Sequence, residues 1–467
     1  MNTTIANRIY IEEPTDEIKK WAKDNLQFPN PDFEKKQRMG FWTGRTPREL
    51  RLYEWNGNTL VMPFGVIRDL MPMLHGSLVN TDFRQDNVVK YGGETVPLYD
   101  YQKEAVVNMI GAKYGILKST TGSGKTQIGI ALIKAHRRRA LWLCHTADLL
   151  NQSRDRALQY IDPELIGTIT EGKVNVGVGV TFATVQTMAN LELQQYRDYW
   201  DVVIVDECHR VSSSATTFTR YEKVLNHLAA RHKFGLTATP ERSDGLIKAT
   251  FALIGKVVYT VPDEAIADKV MGVKVRTVDT DADITEECLN DDGTINYVKL
   301  IEHLTTDHDR NKLIARKIME NKDHSCLILS DRLAQLEAVR ALLPYEMQEK
   351  SAFINGKMQS KKAKADRELF IEQMRTGEKK YLFASYSLAK EGLDIPCLDR
   401  LFLASPAKYS AIITQAVGRI RRTADGKKTP VVYDFRDVNI GFCDRAYKER
   451  CRCYRKLGAE IERGFLT

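Results

Sequence analysis

Short apolar runs alternate with helix-length amphipathic stretches over most of the chain. In one series the runs fall at residues 116–117, 141–144, 180–183, 202–205, 234–236 and 257–259. A second series occupies 326–329, 352–354, 381–384, 401–404 and 431–433. Apolar runs this short, separated by amphipathic segments, predict buried parallel strands with helices packed on both sheet faces. Two such series predict two lobes. Between them, residues 261–292 hold Asp279, Asp281, Asp283, Glu286, Glu287, Asp291 and Asp292, a pattern that reads as a solvated connector or surface hairpin. The residues before about Gly93 differ: β-like segments at 52–55 and 59–62 flank an Asn56-Gly57 turn signal, which predicts a small separate α+β domain. The expected organisation is an N-terminal accessory domain at 1–93, a first lobe at 94–262, a second at 263–440 and a basic extension at 441–467.

A chain of 467 residues exceeds what one hydrophobic core fills, in keeping with several domains. The net charge of +8 is compatible with a polyanionic partner, and its clustering says more than its total. Lys35, Lys36, Arg38, Arg45, Arg48 and Arg51 face only Glu49 in their stretch, and Arg445, Lys448, Arg450, Arg452, Arg455 and Lys456 face only Glu449 in theirs. The 8 cysteines are scattered without a C-x-x-C pair, which disfavours a zinc site and suits reduced thiols. No signal pattern opens the chain and no apolar run is long enough to span a bilayer, so a cytoplasmic protein without a membrane partner is expected.

Ser119-Thr120-Thr121-Gly122-Ser123-Gly124-Lys125-Thr126 follows the first apolar run directly. Glycines at such a turn let successive backbone N–H groups wrap a phosphate, while the lysine supplies charge and the threonine hydroxyl takes a Mg²⁺ position. Ser119 stands where a first glycine is usual. Downstream, Asp206-Glu207-Cys208-His209 closes another apolar run. An acid there suits Mg²⁺, and its neighbour can polarise an attacking water. The pair implies nucleotide hydrolysis.

Two further motifs follow in order: Leu236-Thr237-Ala238-Thr239-Pro240, then Gln415-Ala416-Val417-Gly418-Arg419-Ile420-Arg421-Arg422. With the nucleotide motifs, the chain resembles a superfamily 2 helicase or translocase, in the group of XPB, RecG and phage UvsW. The resemblance runs from about Leu98 to Arg422 and implies an α/β fold of two RecA-like lobes, parallel sheets flanked by helices. It implies ATP and Mg²⁺ as cofactors. The ATP site would comprise Gln102, Thr121, Gly122, Ser123, Gly124, Lys125, Thr126, Gly392 and Asp394, with Mg²⁺ on Thr126 and Asp206. Gln102, in Leu98-Tyr99-Asp100-Tyr101-Gln102, would read the adenine edge, since an amide accepts and donates at once. Catalysis would fall to Lys125, Asp206, Glu207, Arg419 and Arg422, the arginines neutralising charge that develops on the transferred phosphoryl group. His209, Thr237, Thr239 and Gln415 would couple hydrolysis to movement.

The same resemblance places strand contacts at Thr184 and Thr187, at Ser330 and Arg332, at Ser385, and at Arg242 in Glu241-Arg242-Ser243-Asp244-Gly245. His145 stands where the family's first strand-contacting motif begins with proline. Met39-Gly40-Phe41-Trp42-Thr43-Gly44-Arg45 resembles the amino-terminal domain of UvsW-type helicases, and Trp42 and Arg45 would grip DNA there. The expected partner is single-stranded, duplex or branched DNA, unwound or branch-migrated with 3′-to-5′ polarity, and a monomer suffices. An RNA helicase, or an ATP switch that clamps nucleic acid without unwinding it, remains the alternative. A restriction-enzyme motor would require a nuclease, and Asp32 and Glu34 stand too close together to form the usual two-strand site.

Overall fold

The computed structural model describes residues 1–44, 46–83, 88–120, 122–212, 215–238, 246–262, 264–354, 361–386, 395–406 and 410–463. Of the site residues expected from sequence, Arg45, Thr121, Thr239, Arg242, Gly392 and Asp394 lie outside the described residues. The chain forms two units, one of Met1–Thr120 with Gly124–Asp263 and one containing Glu264–Thr467. Among the described residues no helix is long and apolar enough to cross a membrane.

The first unit opens with β1 (Asn2–Ile5) and β2 (Arg8–Glu12), then a small antiparallel pair of β3 (Gln27–Pro29) and β4 (Glu49–Arg51), then β5 (Glu54–Asn56), β6 (Thr59–Pro63) and β7 (Leu78–Thr81). Five of these strands form a sheet in the order β5-β6-β2-β1-β7. Alternation decides which face is buried: Ile9 and Ile11 of β2 point inward while Arg8, Tyr10 and Glu12 point away. The buried face does not close on itself. Ile9, Ile11, Leu60 and Met62 share one hydrophobic core with Val203, Leu225, Leu253 and Ile254 of the larger sheet and its helices.

That larger sheet contains β8 (Gly115–Lys118), β9 (Ala140–Cys144), β10 (Ile166–Thr170), β11 (Lys173–Asn175), β12 (Val180–Thr184), β13 (Val202–Asp206), β14 (His232–Thr237) and β15 (Val257–Thr260). Its order is β11-β10-β12-β9-β13-β14-β8-β15, parallel except for the β10–β11 hairpin. All six runs of the first series are strands here. β10 and β11 were not expected, because Ile166–Thr170 alternates over only five residues and is half-exposed.

The second unit contains β16 (Lys274–Thr280), β17 (Cys326–Ser330), β18 (Ser351–Ile354), β19 (Tyr381–Ser385), β20 (Arg400–Leu403), β21 (Val431–Asp437) and β22 (Glu460–Arg463), in the parallel order β18-β19-β17-β20-β21-β16-β22. β16 corrects the sequence reading of a solvated connector. It pairs with β21 and β22 and buries Val275, Thr277 and Thr280. The acids on either side masked this alternation in the sequence. The basic C-terminal stretch supplies the helix Gly441–Lys456 and β22. Within that helix Arg450 is buried, donating to both carboxylate oxygens of Asp434 on β21 at 2.8 and 2.7 Å. A second buried pair, Arg310 Nε to Asp437 Oδ1 at 2.7 Å, ties the helix His308–Met319 to the same strand.

Two contacts weld the N-terminal segment to the first large sheet. A Cβ added at Gly65 would lie 2.4 Å from the Phe251 carbonyl oxygen and 2.5 Å from the Gly255 nitrogen, so only glycine permits this approach to the helix Ile247–Ile254. The Lys233 ammonium on β14 is fully buried, donates to the carbonyls of Leu225 at 2.9 Å and Asn7 at 3.2 Å, and sits 4.8 Å from the Phe64 ring centroid. Gly65→Ala should lower unfolding free energy by about 2–3 kcal/mol, since backbone must shift to admit the methyl. Gly111→Ala, where a Cβ meets nothing, should be neutral or stabilising by up to about 1 kcal/mol in its helix. Denaturant titration of both variants checks the contrast.

Burial pushes Lys233 down to about 7 from the ordinary 10.5. Below pH 7 the folded and unfolded chains both carry the proton, while between 7 and 10.5 the unfolded chain holds more of it, so this group makes stability rise with pH in that window. Lys233→Met should remove that rise. The unfolding free energy of wild type relative to the variant, measured across pH 6–10, should climb above about pH 7, and a flat difference would contradict the burial argument.

Candidate nucleotide and strand-contact site

Parallel strands present their C-terminal ends to one edge of the sheet, where ligands of open α/β sheets bind. In the first unit β8 leads into the glycine loop, β9 into residues 145–150, β12 into 184–187, β13 into 206–209 and β14 into 237–238. These strands are buried over most of their length, and each polar motif begins at or just after the strand's last residue.

The loop after β8 turns through Gly122 at φ +92° and Gly124 at φ +76°, left-handed values that glycine adopts without strain. Lys125 then opens the helix Lys125–His136. Its ammonium donates to the loop carbonyls of Ser119 at 3.3 Å and Thr120 at 3.4 Å. The Ser119 N–H donates to the Thr237 carbonyl at 2.9 Å, fastening the loop to the end of β14. Gln102 is buried against the same loop: a Cβ at Gly124 would come within 2.3 Å of its Nε2. Its Oε1 accepts from the Tyr99 N–H at 2.9 Å and so caps the helix Asp100–Ala112. Thr126 follows Lys125 in the first turn of its helix.

Asp206 is the last residue of β13 and is buried. One carboxylate oxygen accepts from the Glu207 N–H at 2.9 Å and the other from the Ser153 hydroxyl at 3.3 Å. Burial, then the adjacent Glu207, pushes Asp206 up to about 6, against the pull of Lys125. For Glu207 burial also acts upward, but Lys125, His209 and Arg210 outweigh it and bring it down to about 2. Glu207 holds φ +46°, a left-handed backbone that costs a non-glycine residue about 1–3 kcal/mol. Its Oε2 makes no well-aligned hydrogen bond among the described residues; His209 Nδ1 stands 3.2 Å away and also lies 3.0 Å from Thr237 Oγ1. A buried, unsatisfied carboxylate oxygen beside a carboxylate of raised pKa, both within reach of a lysine field, fits a hard divalent cation and an anionic triphosphate.

Next to this centre, Thr184 donates to Thr187 Oγ1 at 3.0 Å, and Gln186 Nε2 donates to the His145 carbonyl at 2.7 Å. Thr184 is buried, whereas Thr187 is half-exposed. Trp42 is 87% exposed and Phe41 60%, with Arg38, Arg48 and Arg51 also exposed nearby in sequence.

In the second unit Ser330 and Ser385 are register partners at the ends of β17 and β19. Ser330 is fully buried, its hydroxyl donating to Gln335 Oε1 at 2.6 Å and accepting from the Arg332 N–H at 3.0 Å, which leaves that side chain no surface for a nucleic-acid strand. Arg332 is exposed and Ser385 half-buried. Gln415 and Arg419 lie one turn apart on the helix Ser410–Ile420 and are both buried; Arg422 follows the helix and is half-buried. Arg421, between them, donates to the carbonyls of Met271 and Leu457 at 2.9 and 3.0 Å and so braces the second unit itself.

The fold brings Gln102, Lys125, Asp206, Glu207, His209 and Thr237 to one sheet edge. Ser153 and Gln186 escaped the sequence reading. Ser153 had a visible signal, being the polar member of a buried stripe with Leu149, Leu150 and Ala157.

Two family models match the chain: "Type III restriction enzyme, res subunit" over residues 95–242 and "Helicase conserved C-terminal domain" over residues 309–424. The DNA 3'-5' translocase XPB2 of Sulfurisphaera tokodaii is 26% identical over 363 residues, spanning 71% of this chain and 80% of that protein. An Acanthamoeba polyphaga mimivirus protein with an ATP-dependent RNA helicase name is 26% identical over 361 residues, spanning 76% of this chain and 66% of its own. Among solved structures, the Type ISP restriction-modification enzyme LlaBIII bound to DNA shares the fold, with a TM-score of 0.58 at 16% identity, covering 83% of this chain and 33% of that one. The helicase matches cover both the phosphate-loop sheet and the arginine-bearing helix, so the chain belongs to superfamily 2, the ATP-hydrolysing helicases and translocases that act on nucleic acids.

Proposed function

We propose that this chain is a DNA motor that unwinds or branch-migrates forks, junctions and displacement loops with 3′-to-5′ polarity. The reading rests on one arrangement: the ends of β8, β13 and β14 gather phosphate loop, carboxylates and the His209–Thr237 contact, while β12, in the same sheet, ends in Thr184 and leads directly into the short helix that carries Thr187. In this reading residues 94–262 form the ATP-binding lobe and 263–440 the second, with 1–93 as accessory domain and 441–467 as extension. Lys125 neutralises the β- and γ-phosphates, and Glu207, through its unsatisfied oxygen, orients the attacking water. Mg²⁺ held by Thr126 and Asp206 would neutralise phosphate charge. His209 passes the state of Glu207 to Thr237 and hence to the end of β14. Arg419 and Arg422 meet the developing charge on the transferred phosphoryl group.

Support for DNA comes from the translocase name of the archaeal relative and from the exposed Phe41 and Trp42 in a basic stretch, a composition that stacks unpaired bases and tracks a backbone. A second reading, RNA unwinding, is favoured by the name of the mimivirus relative. Strand displacement on matched DNA and RNA forks separates the two; faster unwinding of the RNA fork would overturn the first. Trp42→Ala should weaken fork binding by about tenfold, the loss of one stacked base, while leaving ATP turnover on single-stranded DNA near normal.

Lys125→Ala should cut turnover by at least about 100-fold, and Glu207→Gln should do the same while ATP affinity stays within about threefold. Arg419→Ala or Arg422→Ala should lower turnover by about 1000-fold with nucleotide-free DNA binding little changed. Separate measurement of nucleotide affinity, turnover and DNA affinity checks all four. Near-normal turnover in Lys125→Ala would end the assignment.

A further inference from the structure

The helix Ala147–Ala157 connects two places of different character. At its start, Thr146 is the N-cap and accepts from the Leu149 N–H at 3.4 Å. The preceding His145 carbonyl accepts from Gln186 Nε2 at 2.7 Å, in the segment that also holds the Thr184–Thr187 hydroxyl pair. Two turns on, the buried Ser153 hydroxyl donates to Asp206 Oδ2 at 3.3 Å and also contacts the Cys144 thiol, the last residue of β9. The other Asp206 oxygen is held by the Glu207 N–H. Ser153 is therefore the side chain that fixes how Asp206 is rotated at its outer oxygen, and it stands on the element whose first residues abut the strand-contact segment.

We propose that Ser153 is a positioning residue that aims the Asp206 carboxylate at its divalent cation, and that the helix Ala147–Ala157 passes strand binding at residues 145–146 and 184–187 to that carboxylate. The inference rests on the reading above that Asp206 holds Mg²⁺. A hydrogen bond to a metal-binding carboxylate fixes its rotamer, so losing it typically costs tenfold or more in metal affinity. Because linkage is reciprocal, a strand that favours one placement of the helix tightens the cation, and the cation tightens the strand by the same factor.

The test is Mg²⁺-dependent binding of a fluorescent ADP analogue by the full chain, with and without single-stranded DNA, read as the Mg²⁺ concentration at half-effect. Asp206→Asn should remove the Mg²⁺ dependence; if it does not, the reading of Asp206 fails and the inference falls with it. With that established, Ser153→Ala should raise the Mg²⁺ midpoint by about tenfold. DNA should lower the midpoint in wild type and move it much less in Ser153→Ala. Ser153→Thr, which keeps the hydroxyl, should restore both, and Ser153→Cys, close in size, serves if the methyl of threonine is not accommodated. Thermal unfolding of each variant separates lost aim from lost fold. An unchanged Mg²⁺ midpoint in a folded Ser153→Ala protein overturns the proposal, as does a wild-type midpoint indifferent to DNA.

Discussion

A buried Asp206 and a partly buried Glu207 side by side at a strand end, facing one lysine, are the constraint on which the first unit is built. Asp206 and Glu207 could not both stay ionised in an apolar interior without compensation. Lys125, which follows the glycine turns at 122 and 124, supplies part of it. Ser153 and the Glu207 N–H satisfy Asp206, while His209 and Arg210 hold Glu207 charged. The outer Glu207 oxygen, on a left-handed backbone, lies 3.2 Å from His209 Nδ1.

The second unit solves its own charge problem differently. Asp434 and Asp437 on β21 are almost wholly buried, and each is matched by an arginine from a flanking helix, Arg450 and Arg310. Breaking either pair would leave an uncompensated charge in a low-dielectric core, which is costlier than never having buried it. These pairs fix helix positions against the sheet that carries Ser385 at one strand end. They also explain why part of a basic C-terminal stretch is not a solvated face.

The N-terminal sheet has too little apolar surface on its own and completes its core against the helix Ile247–Ile254. Trp42 thus belongs to the same packed unit as Lys125, Asp206 and Glu207.

The sequence by itself determined the two sheets and where the phosphate-loop motif falls along the chain, because both depend on local patterns: apolar runs the length of a buried strand, and glycine, lysine and acid residues placed directly after them. Lys125, Asp206 and Glu207 were legible for that reason. What it could not show was anything carried by partners distant along the chain. β16 hid among acids, since only pairing with β21 makes its alternation a buried face. Ser330 looked available in a motif but is spent on Gln335. Ser153 stood out only as a polar member of an apolar helix stripe, and packing alone set it beside Asp206, 53 residues away. Local composition determines which groups the chain owns; only tertiary packing decides which of them find partners.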